Sequence, residues 1–226
     1  VLPALLVIAE LTVVNDPAPL RRRMLALRVP LLLLALLAAG YLWARSAVVI
    51  GGLAGFRPFV VFQVLQLSAV DRILTMIGAA TEWFRLLLWP ARLTTQYSPP
   101  AVEIAQGFAA SLIPGLLLLA ASLGLIVACW KRNPVTSFGL AWTVVSLLPV
   151  SNFLVPAGFL IAERTLLLAS VGAMIAIATA VPKLEAVIQS RRLPRASIAA
   201  LVGILAALGI TRSITRNAVW ASDERL

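Results

Sequence analysis

The chain has 226 residues, is 61% hydrophobic and 12% charged, and has a mean hydropathy of +0.99. A soluble domain carries about twice that charged fraction, near 25%, so the composition excludes an ordinary soluble globular domain and points to an all-α polytopic membrane protein with room for roughly five to seven spans of about 20 residues. A net charge of +10 would suggest nucleic acid in a soluble protein, but here the arginines cluster between apolar runs, where the positive-inside rule accounts for them; the expected basic-surface partner is anionic membrane lipid, with no nucleic acid.

There is no histidine, and Cys129 is the single cysteine. The commonest metal ligand and neutral-pH base is therefore missing, and no intrachain disulfide can form. No metal site and no cofactor is expected. The chain opens at Val1 already inside an apolar run, with no basic leader. It therefore reads as the later part of a membrane domain, and the polar residues 222–226 read as leading onward.

Residues 1–14 read as the tail of a span, interrupted by Pro3 and carrying Glu10. Glu10 reads equally as a helix-end residue or as the partner of an arginine in an earlier part of the protein. A break at Asn15-Asp16-Pro17-Ala18-Pro19 and the basic cluster Arg21-Arg22-Arg23 follow, then a full span over residues 25–43 with Pro30 in its first turns. Residues 45–70 are ambiguous; within them, 59–67 carry Gln63 and Gln66 on one helical face, which suits an interfacial helix. Residues 71–89 contain Asp71, Arg72, Glu82 and Arg85, the last two at i, i+3 spacing where they can neutralise each other, and Pro90 ends the run.

Further spans are expected over residues 108–130, 135–150, 166–181 and 197–210. Basic clusters at Lys131-Arg132 and at Lys183, Arg191, Arg192 and Arg195 separate them. Placing all three basic clusters inside is self-consistent only if residues 45–100 cross the bilayer zero or two times. The four charges of 71–89 favour an element lying along the outer interface over a hairpin with 59–67. The expectation is about six spans plus this interfacial or re-entrant segment, with residues 96–100, the Glu163 motif and the C-terminal tail extracytoplasmic. Residues 1–211 form the membrane domain and 212–226 an extracytoplasmic junction. Trp83, Trp89, Trp130 and Trp142 read as interface or packing aromatics.

Residues 149–158 hold two prolines, a glycine and the polar pair Ser151-Asn152. Broken backbone at membrane depth survives where it lines a cavity or is buried in protein. Helix is expected to resume near Phe159, putting Glu163, Leu166, Leu167 and Ser170 on one face and Arg164 about 100° away. Ionisable residues between apolar runs are costly, and the default reading is a functional site. The plain alternative is a helix end, with Arg164 reaching to headgroups. A guanidinium at the mouth of a helical bundle suits a phosphate, which it meets with two parallel bonds. Glu163 suits a sugar hydroxyl, and Asn152 the same headgroup.

These residues resemble the motif of the transmembrane and tetratricopeptide-repeat O-mannosyltransferases of the GT-C class, which reads approximately S-N-x5-G-x3-A-E-R-x-L-Y-x-P-S-x-G. It is met at Ser151, Asn152, Gly158, Ala162, Glu163, Arg164, Leu166, Ser170 and Gly172. It departs at Leu167 and Ala169, where the family has Tyr and Pro. The stretch Leu86 to Ser98 is similar to the family's L-L-x-x-P-x-x-L-S-x-D-Y-S, with Gln96 in place of the acid. Arg216-Asn217-Ala218-Val219-Trp220, with Asp223 and Leu226, is similar to its R-N-x-x-W-x-x-E-x-x-L junction.

The resemblance implies a GT-C-like helical bundle, bacterial inner membrane, and inverting transfer of mannose from a polyprenyl-phosphate carrier to a protein hydroxyl on the outer face. Its implied carrier-phosphate or sugar-binding residues are Arg164, Glu163, Asn152, Ser151 and Ser170, with Gln96 and Tyr97 lining the site. An inverting transfer needs a carboxylate base; in GT-C enzymes it sits in the first outer loop, expected before residue 1, and Glu163 reads as a binding residue. No repeat of about 34 residues occurs in the chain. Two readings of other classes stay open. One is a transporter or lipid flippase gated by Glu163 and Arg164, against which no inverted internal repeat is visible. The other is a non-catalytic membrane anchor for a repeat domain.

Overall fold

The computed structural model describes residues 1–48, 67–90, 97, 102–154, 159–182, 186 and 196–217. Among them all regular structure is helical, apart from one isolated β-bridge between Tyr97 and Ile161. The chain divides into two compact units, Val1–Ala176 and Ile177–Leu226.

The first unit opens with α1 (Leu2–Thr12), α2 (Leu20–Ala26) and α3 (Arg28–Val48). The turn at Leu27 between α2 and α3 arises from Pro30, which has no N–H to donate to the Ala26 carbonyl four residues back. Glu10 finds its partner inside the chain. Arg23 donates from Nε to Glu10 Oε1 at 2.7 Å, and its second nitrogen bonds the Glu10 carbonyl and, at 2.9 Å, the Val14 carbonyl. Both side chains are mostly buried, at 14% and 15% exposure. Arg23 is thus a clasp across the α1–α2 turn, beyond its expected part in the basic cluster. Arg23→Ala strands a half-buried carboxylate and two carbonyls, and is expected to cost about 2 kcal/mol, below the 3–5 of a fully buried pair. Glu10→Gln leaves those carbonyl bonds in place and should cost less; thermal unfolding of the two variants in detergent checks the order.

Helix α4 (Ala69–Leu88) is the run with four charges. Ser68 caps it, accepting from the Asp71 N–H at 3.1 Å. Asp71 Oδ1 accepts from Gly107 N–H at 3.1 Å, and Thr75 Oγ1 accepts from Ala105 N–H at 3.0 Å, so the start of the helix holds the loop before the next one. Thr75, Met76, Ala79, Ala80, Trp83 and Leu86 form its buried face. All of these but Thr75, with Tyr97, Val102, Leu160, Ile161 and Leu166, make up the main apolar core. Trp83 meets Phe153 edge-on, with centroids 6.4 Å apart, as a packing aromatic. The helix stops before Pro90, where Trp89 is already extended, as a residue before proline prefers. The charges that favoured a purely interfacial element are largely spent on the protein itself, and α4 is the unit's central helix. Its alternative partner, residues 59–66, lies outside the described residues.

Helix α5 (Ile113–Arg132) packs on α4 and on α6 (Pro134–Leu147), which Asn133 caps through Thr136 N–H. Ser137, fully buried, donates to the Ile126 carbonyl at 2.9 Å. A 3₁₀ turn over Leu148–Val150 ends α6 at Pro149. Helix α7 (Leu166–Ala178) crosses α6 where Gly139 and Gly172 bring the two backbones into contact. Trp142 Nε1 and Thr143 Oγ1 donate across that crossing to the Leu168 and Ala169 carbonyls.

In the second unit, α8 (Ala196–Asn217) runs on past residue 211, where the membrane domain was expected to end. The third basic cluster and residues 218–226 lie outside the described residues.

Among the described residues, two stretches are long and apolar enough to cross a membrane: Leu20–Val48, which is α2 and α3 together, and Ala110–Cys129, nearly all of it in α5. Leu2–Thr12, Pro134–Val150 and Val202–Thr215 are shorter apolar helices, so of the six expected spans two meet the length. The outward face in the middle of α3 is apolar, with Leu32, Leu33, Leu36 and Leu37 exposed, as suits lipid.

Candidate functional site

Helix does not resume at Phe159. Phe159 and Leu160 form a bend, Ile161 and Ala162 run extended, Glu163–Thr165 form one 3₁₀ turn, and α7 starts only at Leu166. The cause lies across the chain. Ile161 is 1% exposed and bridges antiparallel to Tyr97, and Leu160 is equally buried, so the core holds this stretch in a strand-like form. Thr165 donates from both N–H and Oγ1 to the Ala162 carbonyl, closing the turn. Glu163 and Ser170 therefore do not share a helix face. Ser170 lies in α7 and donates to the Leu167 carbonyl at 2.8 Å.

The bridge sets the register of the residues after Ile161. In an antiparallel pair, a side chain reaches the residue diagonally two positions on. Tyr97 pairs with Ile161 and its hydroxyl donates to Glu163 Oε1 at 2.9 Å. The phenol ring is buried in the core at 3% exposure, while Glu163 is half-buried. The structure thus brings together Tyr97 and Glu163, 66 residues apart. Gln96 lies outside the described residues.

Two further charges join this group. Arg85 donates from Nε to Glu82 Oε2 at 2.9 Å and from a second nitrogen to Oε1, the fork expected from their spacing. The hydrogen bond to Glu82, with added contributions from the Tyr97 phenol and against an opposing effect of burial, raises the Arg85 guanidinium above its already high value. It stays a cation at any working pH. The Tyr97 phenol thus lies within electrostatic reach of Arg85. Sequence reasoning found the Glu82 and Arg85 pair but not its nearness to Tyr97. The available signal was its place just before the stretch from Leu86 to Ser98.

Arg164 points elsewhere. It is exposed, its guanidinium carbon lies 5.3 Å from the Phe159 ring centroid, and it makes no hydrogen bond or ion pair among the described residues. A cation over an aromatic face is attracted by the ring quadrupole, and the contact leaves the guanidinium edge open. Arg164 and Glu163 do not pair with each other, as expected.

Ser151 and Asn152 are buried, at 1% and 0% exposure. Ser151 Oγ donates to the Leu148 carbonyl at 2.8 Å and accepts from the Phe153 N–H at 3.3 Å. Asn152 sits at φ 57°, in the left-handed region, and its amide donates to the Phe159 carbonyl at 3.0 Å and contacts Met76 Sδ at 3.8 Å. Asparagine tolerates that backbone better than most residues. Asn152 thus ties Phe159 to its own turn and touches α4 at Met76, while Ser151 closes the turn that follows α6. Among the described residues no group of three or more His, Cys, Asp or Glu side chains is arranged to hold a metal.

No protein-family model matches the chain, and no solved structure matches it at a significant level. Among curated proteins, Protein O-mannosyl-transferase Tmtc3 of Drosophila melanogaster is 32% identical over 149 residues, which are 62% of this chain and 16% of that protein. The match thus spans about one-sixth of the relative's length.

Proposed function

We propose that the chain is the carrier-binding part of a membrane glycosyltransferase, one that moves mannose from a polyprenyl-phosphate carrier to a protein hydroxyl on the extracytoplasmic face. The observation that carries this reading is Arg164: an exposed guanidinium braced on Phe159 with its donors uncommitted, next in the chain to a carboxylate held by Tyr97. The similarity to Tmtc3 supports the same chemistry.

In this reading Arg164 meets the carrier phosphate with paired N–H donors. As the glycosidic bond breaks, the phosphate leaves with added negative charge, and a fixed cation beside it lowers that barrier. Glu163 accepts from a sugar hydroxyl and orients the ring. Ser170, on the helix that comes next, lines the phosphate side. The carboxylate base for the acceptor hydroxyl is assigned to another part of the protein. Apolar helices such as α3 and α5 hold the site in the membrane, where the polyprenyl tail of the carrier resides.

The test is transfer of labelled mannose from polyprenyl-phosphate mannose to acceptor protein, using the intact protein in membranes. Hydrogen bonds to a charged group are worth about 1.5–3 kcal/mol, so Arg164→Ala should lower kcat/KM by about 10- to 100-fold, with a raised donor KM. Glu163→Gln should lower kcat/KM by about tenfold, since the amide still accepts but is uncharged. Transfer equal to the parent in both variants would make the pair a helix-end feature and sink the proposal.

A further inference from the structure

The arginines of α2 and the one that opens α3 do not share one fate. Arg23 is spent on Glu10 and on two backbone carbonyls, and is mostly buried. Arg21, Arg22 and Arg28 are exposed, and their side chains make no hydrogen bond or ion pair among the described residues. Helix geometry explains the split. Successive residues turn by about 100°, so Arg21 stands about 160° from Arg23 and Arg22 about 100° from it. With Arg23 clasped to α1, both are turned away from that helix.

The turn at Leu27 keeps right-handed backbone, at φ −70° and ψ −10°. Arg21 and Arg28 lie two helical turns apart and so come close to one face, with Leu25 between them, 37% exposed. Arg22 and Val29 flank that line at the same spacing, and Val29 is exposed too. Cations thus alternate with aliphatic side chains along one strip.

Helix α3 sets the depth of the strip. Arg28 and Arg45 are its first and last charges, and the helical rise between them is roughly 26 Å, close to the hydrocarbon thickness of about 30 Å. Long cationic side chains at the ends of a span reach to the headgroups. With Arg45 at one surface, where it donates to the Tyr41 hydroxyl at 2.9 Å, Arg28 and the short α2 before it come to headgroup level at the other. The acids of this segment leave the strip cationic. Glu10 is held by Arg23, and Asp16, which is exposed, accepts from the Ala18 N–H at 2.8 Å. Arg21, Arg22 and Arg28 therefore face a single exposed carboxylate.

We infer that Arg21, Arg22 and Arg28 form a docking strip for the phosphate of an anionic phospholipid, with Leu25 and Val29 against the upper part of its acyl chains. A guanidinium meets a phosphate with paired N–H donors. Each arginine near an anionic leaflet adds about a fivefold preference. A soluble anion would leave Leu25 and Val29 without a partner, so the alternation along the strip favours a lipid. None of these residues belongs to the group around Glu163, and the inference stands apart from the donor-site reading.

The test uses the intact protein in nanodiscs and two probes with identical acyl chains, phosphatidylglycerol and phosphatidylcholine, each carrying a photoactivatable group high on one chain. Labelling is mapped to the peptide holding residues 20–29. Phosphatidylglycerol should label it at least about tenfold more than phosphatidylcholine at low salt. Most of that preference should vanish near 1 M salt, where the screening length falls to about 3 Å. The triple variant Arg21→Gln, Arg22→Gln and Arg28→Gln should label equally with both lipids. Leu25→Glu keeps every arginine, and acids contribute little to topology; it should lower the preference about fivefold, and it decides the matter should the triple variant not fold. Equal labelling by both lipids in the parent, or a preference that salt, the triple variant and Leu25→Glu all leave intact, makes the arginines a topology signal only and overturns the strip. Loss of labelling on adding millimolar inorganic phosphate, but not the same ionic strength of chloride, would make it a site for a soluble anion and overturn the lipid.

Discussion

Asn152→Ala is expected to destabilise the protein by about 3 kcal/mol, the sum of a left-handed backbone no longer tolerated, about 1–2 kcal/mol, and an unpaired buried carbonyl at Phe159, about 1–3 kcal/mol. The two costs are separable. Asn152→Gly restores the backbone at φ 57° and leaves only the lost bond, so it should recover roughly 1 kcal/mol. Asn152→Asp tolerates the left-handed backbone but buries a carboxylate against the Phe159 carbonyl oxygen, to which it cannot donate, so it should do no better than Ala. Loss of transfer activity should track loss of fold, as Phe159 is both the residue clamped and the surface on which Arg164 rests. Thermal unfolding in detergent beside the transfer assay separates this from the headgroup role expected for Asn152. A variant that unfolds like the parent yet has a raised donor KM would return Asn152 to direct carrier binding.

A larger effect is expected at the helix crossings. A Cβ on Gly115 would run into the Ile77 carbonyl of α4, and a Cβ on Gly139 would stand 2.6 Å from both the Gly172 carbonyl oxygen and the Ala176 nitrogen. These are backbone atoms, which no side-chain rotation can move aside. Gly115→Ala and Gly139→Ala should force α4 from α5 and α6 from α7 and prevent the protein from accumulating folded in the membrane. Helices in lipid associate through close packing, so the lost approach is not recovered by burial elsewhere. Gly124→Ala is the control: nothing lies within 4 Å of that position, and alanine is the better helix former by about 1 kcal/mol. It should express as well as the parent or better. Protein yield in membranes and monodispersity after extraction report both results.

How much of the site was legible in the sequence depended on the distance over which each part is decided. Glu82 and Arg85 are a local pair, three residues apart on a helix, and their fork was expected from spacing alone. The interruption around Pro149 and Ser151-Asn152 was legible because proline cannot continue a helix ladder. Glu163 and Arg164 stood out because charge between apolar runs is costly. The point at which helix resumes was not legible. Residues 159–165 have no local reason to refuse a helix, and the pairing of Ile161 with Tyr97 wins over propensity. The clasp between Glu10 and Arg23 was missed for a related reason: thirteen residues and a double-proline turn separate them, and only the fold of that turn sets the distance.

Composition, apolar run length and charge placement determined by themselves that this is a helical, membrane-type chain and where α3 and α5 lie, and they singled out residues 163 and 164 as the candidate centre of its chemistry. Those properties are local or additive: they depend on which residues are present and on their neighbours within a turn or two. Tertiary structure alone decided that α4 is the central helix, that Asn152 faces inward to hold Phe159, and that Tyr97 belongs with Glu163. Each of these turns on which of several competing partners a polar group meets once the apolar faces have packed, and that choice is made between segments far apart in the chain.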